Sequence, residues 1–256
     1  MPHLDRSGVA VYYAVHGQPA GRTPLLLSHG YSASSVMWDA NLPGLAADRQ
    51  VVTWDIRGHG RSASPEDPDQ YSEAASVADM AAVLDACGFE RAAVGGLSLG
   101  GYLSLAFWLA HPARVSALLL FDTGPGFKND AAREAWNQRA VSRAVALESE
   151  GLGSLSNSPE VRRGDHDPRG LALAARGILT QHDARVIGAL PAVSVPVLVL
   201  VGADDQPFLA AADYMATKLP DATKVVLPDA GHASNIDQPE AFNATVIDFL
   251  ERTSHR

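Results

Sequence analysis

Short runs of β-branched and leucine-rich residues alternate along this chain with longer stretches whose apolar positions recur at helical spacing. Strands are predicted at Val9 to Val15, Leu25 to Ser28, Val51 to Trp54, Ala92 to Gly95, Ala117 to Asp122, Val197 to Val201 and Lys224 to Leu227. Between them, Val77 to Cys87, Gly100 to Ala110, Leu209 to Lys218 and Pro239 to Leu250 predict helices. Such an alternation predicts an α/β fold, a mostly parallel twisted sheet flanked by helices. An early Asp5-Arg6-Ser7-Gly8 turn predicts that the first strands form an antiparallel hairpin.

One segment breaks the pattern. From Gly124 to about Leu190 no convincing strand occurs, and the chain reads as two or more helices around a Gly/Ser-rich stretch, Gly151 to Ser158. Pro191 and Pro196 then bracket the return to the sheet. The expectation is a single domain over residues 1–256 with a helical cap inserted at 124–190.

Composition narrows the class of protein. A chain of 256 residues buries roughly 70 to 75% of its unfolded surface, so it needs no disulfide or structural metal. Its only cysteine, Cys87, has no second thiol to pair with and sits in an apolar stretch, as a small core residue would. The net charge of −9 argues against nucleic-acid or anionic-membrane partners, which need a basic patch. The apolar runs are about a quarter of the ~20 residues a membrane helix requires. Met1 to Gly8 lacks the basic flank and apolar stretch of a secretory signal, so the expected location is cytoplasmic.

Candidate chemistry starts at Gly96-Leu97-Ser98-Leu99-Gly100, a G-x-S-x-G run between a predicted strand and a predicted helix. With 22 glycines and 20 serines in the chain, a bare match is expected by chance in about 0.15 of such sequences. Its setting carries the argument instead. A serine on so sharp a strand-to-helix turn is pushed into the open, and the flanking glycines remove side chains that would collide there.

A serine hydroxyl needs a neighbouring base to become a nucleophile. Nine histidines compete, and His232 is favoured because it lies in a loop between the last predicted strand and the final helix, within reach of the sheet's carboxyl edge. An acid should orient that imidazole. Val201-Gly202-Ala203-Asp204-Asp205 supplies two aspartates, of which Asp205 is favoured by its G-x-x-D spacing; Asp204, and Asp122 at the end of another strand, stay open. Leu26 to Tyr31 is a strand emptying into a His-Gly turn, so the backbone N–H groups of Tyr31 and Leu99 are candidates for an oxyanion hole. The aromatic residues Trp38, Phe127, Trp136 and Phe208 are candidate pocket walls.

Through His29-Gly30, Trp38, Asp55-Ile56-Arg57-Gly58-His59-Gly60-Arg61-Ser62, Gly96 to Gly101, Gly202 to Asp205 and Gly231-His232, nearly the whole chain resembles the α/β-hydrolase family. The resemblance implies that the Asp55 to Ser62 segment orders a turn below the active site and takes no part in chemistry. It also implies a carboxylesterase-like serine hydrolase acting on a small-molecule ester or lactone without metal or organic cofactor. The run from Gly95 to Gly101 is most similar to small bacterial esterases and the 3-oxoadipate enol-lactonase group. A serine at position 98 argues against the dehalogenases and epoxide hydrolases of this family, which attack with aspartate. Tyr102-Leu103 departs from the elbow of cofactor-free haloperoxidase-like esterases. An enol-lactonase, a carbon–carbon bond hydrolase with the same triad, and a small-molecule receptor are the alternatives.

Overall fold

The computed structural model describes residues 3–155, 158–161 and 166–253, so the Gly/Ser-rich stretch lies partly outside the described residues, as do Met1, Pro2 and His255. The chain opens with β1 (His3–Arg6) and β2 (Val9–His16), joined by a two-residue turn and paired antiparallel with Arg6 opposite Val9. Ser7 and Gly8 hold φ of 56° and 85°, the left-handed pair whose twist suits a hairpin. Then follow β3 (Leu25–Ser28), α1 (Leu42–Leu45), β4 (Val51–Trp54), α2 (Glu73–Ala86), β5 (Ala92–Leu97), α3 (Leu99–Ala110) and β6 (Val115–Phe121). Helices α4 (Asp130–Glu150), α5 (Pro168–Ala174) and α6 (Arg185–Ala189) precede β7 (Val197–Gly202), α7 (Gln206–Lys218), β8 (Ala222–Leu227), α8 (Ser234–Asp237) and α9 (Pro239–Thr253).

The eight strands form one sheet in the order β1-β2-β4-β3-β5-β6-β7-β8, parallel from β4 through β8. Every residue of β3, β4, β5 and β7 is buried. Both faces are therefore covered, and period-two alternation splits the core in two. Leu26, Val52, Val94, Leu118 and Val199 face α2 and α3, packing on Met80, Leu84, Leu103 and Phe107. Leu25, Leu27, Ala93, Leu119 and Leu198 share the opposite face with Phe242, Val246 and Phe249 of α9.

Some boundaries differ from the sequence expectation. Strand β5 runs two residues past Gly95, to the residue before the serine, because Gly96 and Leu97 still pair with Leu120 and Phe121 of β6. Strand β6 stops at Phe121, and Asp122 turns out of it with φ 46°. Helix α2 starts at Glu73, where Ser72 caps it by accepting from the Ala75 N–H at 3.0 Å.

The sheet order sets where a ligand can enter. The chain leaves β3 to one side for β4 and recrosses to β5 on the other, so β3 and β5 flank a topological switch point. Their carboxyl ends, His29 to Tyr31 and Ser98, meet there. The loop after β4 buttresses this edge from below: Asp55 accepts from the N–H groups of Ser35 and Arg61 at 2.6 and 2.8 Å. Arg57 makes a buried two-point contact with Asp79 on α2 at 2.6 and 2.8 Å. His29 is buried with Nδ1 on the Gly30 carbonyl and Nε2 accepting from the Ile56 N–H, so both ring nitrogens are spent inside the scaffold. Among the described residues no helix is long and apolar enough to cross a membrane.

Candidate active site

Ser98 sits between β5 and α3 with φ 55° and ψ −115°, a strained backbone for a residue with a side chain. Neighbouring bonds hold it there. Its N–H donates to the Phe121 carbonyl at 2.9 Å, and its own carbonyl accepts from Thr123 Oγ1 at 2.6 Å. The turn closes so tightly that a Cβ on Gly96 would lie 2.5 Å from the Ser28 carbonyl oxygen, and one on Gly100 closer still. Only glycine fits at these two positions without moving β3 away from β5.

His232 follows β8 in a loop and points its Nδ1 at Asp205 Oδ2, 2.8 Å away. Asp205 lies just before α7, where its carboxylate is almost wholly buried. Of the three aspartates considered from the sequence, Asp205 is the one that holds the histidine. Asp204 is exposed. Asp122 is buried one step away, its Oδ1 accepting from the Gly202 N–H at 2.8 Å and its Oδ2 from Ser234 Oγ at 2.5 Å. It thereby ties the loop that carries Asp205 to the loop that carries His232.

Burial works against a charged imidazole, but the hydrogen bond and charge of Asp205, with the charges of Asp122 and Glu160, outweigh it and raise the His232 pKa above its ordinary value. Burial pushes the Asp122 carboxyl up to about 7 against the two hydrogen bonds that favour its ionised form. Phe208 stacks on the His232 ring at 4.9 Å between centroids. That contact holds the imidazole plane.

Ser98, His232 and Asp205 all border one cavity of about 790 Å³. Tyr31 and Leu99 border it too, and among the described residues the N–H of neither donates to a protein acceptor. Two unspent backbone donors beside a serine can stabilise an oxyanion. The Tyr31 hydroxyl is used elsewhere, donating to the Leu171 carbonyl of α5 at 2.9 Å. Phe127, Trp136 and Phe208 line the cavity, with Phe127 and Trp136 rings 5.8 Å apart and Trp136 Nε1 donating to the Leu179 carbonyl at 2.8 Å.

Trp38 does not belong with them, and the sequence expectation is corrected here. Its side chain is fully buried on the α9 face of the sheet, against Phe121 and Phe242 at 6.1 and 6.2 Å. A large apolar ring near the His-Gly turn is buried by packing beneath that turn, in the cluster formed by Phe121, Phe242 and their neighbours on this sheet face. Sequence reasoning also missed Tyr102, Arg139, Arg143, Glu160 and Gln181, all of which border the cavity. For the arginines a signal existed: they stand at positions +3 and +7 from Trp136 on a helix, and so share its face.

The alpha/beta hydrolase family model matches residues 25–245. The chain is 28% identical to 3-oxoadipate enol-lactonase 2 of Acinetobacter baylyi, over 97% of this chain and 96% of that one. Among solved structures it is similar to the enol-lactonase of Burkholderia xenovorans, with TM-score 0.83, 27% identity, and 98% and 100% of the two chains covered. It is equally similar to a thermophilic esterase from Thermogutta terrifontis, with TM-score 0.83, 28% identity, and 98% and 97% covered.

Proposed function

Since the chain belongs to the alpha/beta hydrolase family and has its fold, we propose that it is a serine hydrolase that cleaves carboxylic esters through an acyl-enzyme. The observation that carries this reading is the 2.8 Å contact between His232 Nδ1 and Asp205, made at the wall of the cavity that Ser98 also borders. With Nδ1–H donated to the carboxylate, Nε2 is the ring nitrogen left to take the serine proton. Ser98 Oγ then attacks the ester carbonyl while its proton passes to His232. The carbonyl oxygen becomes an oxyanion held by the N–H groups of Tyr31 and Leu99.

Collapse of that intermediate breaks the bond to the leaving alkoxide, which takes the proton from His232. Water, deprotonated by the same imidazole, attacks the acyl carbon and releases the acid, restoring the serine. Asp205 stabilises the imidazolium in both halves. Helix α4, with Leu155, Val161, Leu179 and Gln181 from the chain that follows it, walls the cavity as a cap. A cyclic ester suits the same steps, and the likeness to two enol-lactonases favours a lactone as the second reading.

The test is turnover of short-chain 4-nitrophenyl esters and of enol-lactones by the parent and by Ser98→Ala. Multiple turnover, reduced at least about 10³-fold in the variant, is expected. Activity that survives the substitution would refute the serine mechanism.

A further inference from the structure

The cap holds several arginines, and their partners separate them into two sets. Arg133, Arg169, Arg176 and Arg185 each reach a carboxylate, on Asp130, Glu66, Glu148 and Asp183 respectively. Arg139 and Arg143 reach none among the described residues. They are also the ones that border the cavity, one helical turn apart on the same face of α4. Two like charges at i and i+4 oppose each other in the free protein. Nothing on the helix offsets that cost, in a chain whose net charge of −9 offers many carboxylates for the purpose.

A second observation lies on the adjoining wall. Gln181 is buried, its backbone fixed to Asn137 of α4 by two hydrogen bonds of 2.8 Å, and it borders the same cavity. Among the described residues its side-chain Oε1 has no hydrogen-bond partner. A buried amide oxygen left unpaired is costly, and such groups are ordinarily satisfied. Glu160 is the cap carboxylate on the cavity, and one of its oxygens already accepts from Ser158 Oγ at 2.6 Å.

We propose that Arg139 and Arg143 form a carboxylate-binding wall, and that the preferred substrates are esters or lactones bearing a second, ionised carboxyl group. The proposal rests on the hydrolytic reading above and names its substrate class. A planar guanidinium matches a carboxylate in two-point geometry, and a carboxylate between the pair removes their mutual repulsion. Its remainder then lies in the cavity that Ser98 borders.

The test compares the mono-4-nitrophenyl esters of adipic and suberic acid with their methyl 4-nitrophenyl diesters, in which the distal charge is masked. For the parent protein kcat/KM should favour the free acid by about tenfold, and the ratio should fall to near one in Arg139→Gln/Arg143→Gln. No preference in the parent, or a preference that survives the double substitution, would overturn the proposal. Both side chains are exposed, so the unfolding midpoint should hardly move. If no ester is turned over, or Ser98→Ala leaves turnover intact, it is the hydrolytic reading that fails. The wall is then judged by titration calorimetry with adipate and suberate: binding lost in the double variant supports it, and absent or unchanged binding refutes it.

Discussion

At the scale of single residues, the half-buried His232 and the buried Asp122 carry the shifted pKa values from which a pH dependence follows. In the proposed mechanism His232 must be neutral to accept the serine proton, and its pKa is raised above 6.5 by Asp205 against the opposing effect of burial. The acid limb of kcat/KM should therefore lie above pH 6.5. Asp205→Asn should move that limb downwards and lower the plateau by about 10³- to 10⁴-fold, since the wrong tautomer then faces the serine. A limb that stays in place in the variant would remove Asp205 from its role. The same raised pKa favours the folded state below the unfolded value, and that contribution fades as pH rises through the folded one.

Asp122 works with the opposite chemistry but the same sign. Its carboxyl is pushed up to about 7 by burial, so the folded chain holds a proton that the unfolded chain has already released. Between about pH 4 and 7 stability should fall with rising pH on this account. Asp122→Asn should flatten that slope in chemical denaturation, because its amide still accepts from the Gly202 N–H. Asp122→Ala leaves that N–H and the Ser234 hydroxyl without partners and should cost about 2–4 kcal/mol. The sequence favours Asp205 by its G-x-x-D spacing but leaves Asp204 and Asp122 open, because one residue of difference between Asp204 and Asp205 is decided by how the turn after β7 folds.

At the scale of elements, the βα turn at Ser98 is where local geometry and chemistry are one problem. The serine keeps φ 55° because β5, α3 and the Ser28 carbonyl leave no other path. Gly96→Ala should place a Cβ against that carbonyl, lower stability by about 1–3 kcal/mol, and reduce kcat more than it raises KM. Urea denaturation read beside steady-state kinetics checks both; a fully active, fully stable variant would contradict the packing argument. Most strands were legible beforehand since β3, β4, β5 and β7 are buried on both faces and must be apolar throughout. The cavity wall was less so. Arg139, Arg143 and Gln181 become neighbours of Ser98 only when the chain between β6 and β7 folds back over the sheet edge. Trp38 shows the converse error, since it stands near the site in sequence and packs beneath it in space.

At the scale of the whole molecule, stability is unevenly shared between the sheet body and the helices over the cavity. The sheet strands contribute contiguous apolar runs to two cores. Helix α4 is 21 residues long, yet only Ala140, Ala144 and Leu147 along it are buried. Small side chains supply little apolar area, so the hold on α4 depends on a few specific bonds: Trp136 to the Leu179 carbonyl, and Asn137 to the backbone of Gln181. Tyr31 reaches across from the sheet edge to the Leu171 carbonyl of α5, and Arg185 and Tyr102 converge on Glu73 of α2. Elements held by few buried contacts open at lower free energy than the core. In native-state hydrogen exchange, amides of α4 should exchange through an opening that leaves β3, β5, β6 and β7 protected. Tyr31→Phe, which removes the hydrogen bond from the Tyr31 hydroxyl to the Leu171 carbonyl, should speed exchange in the helices without altering the strands. Uniform exchange across both regions would show instead that the helices and the sheet unfold as one unit.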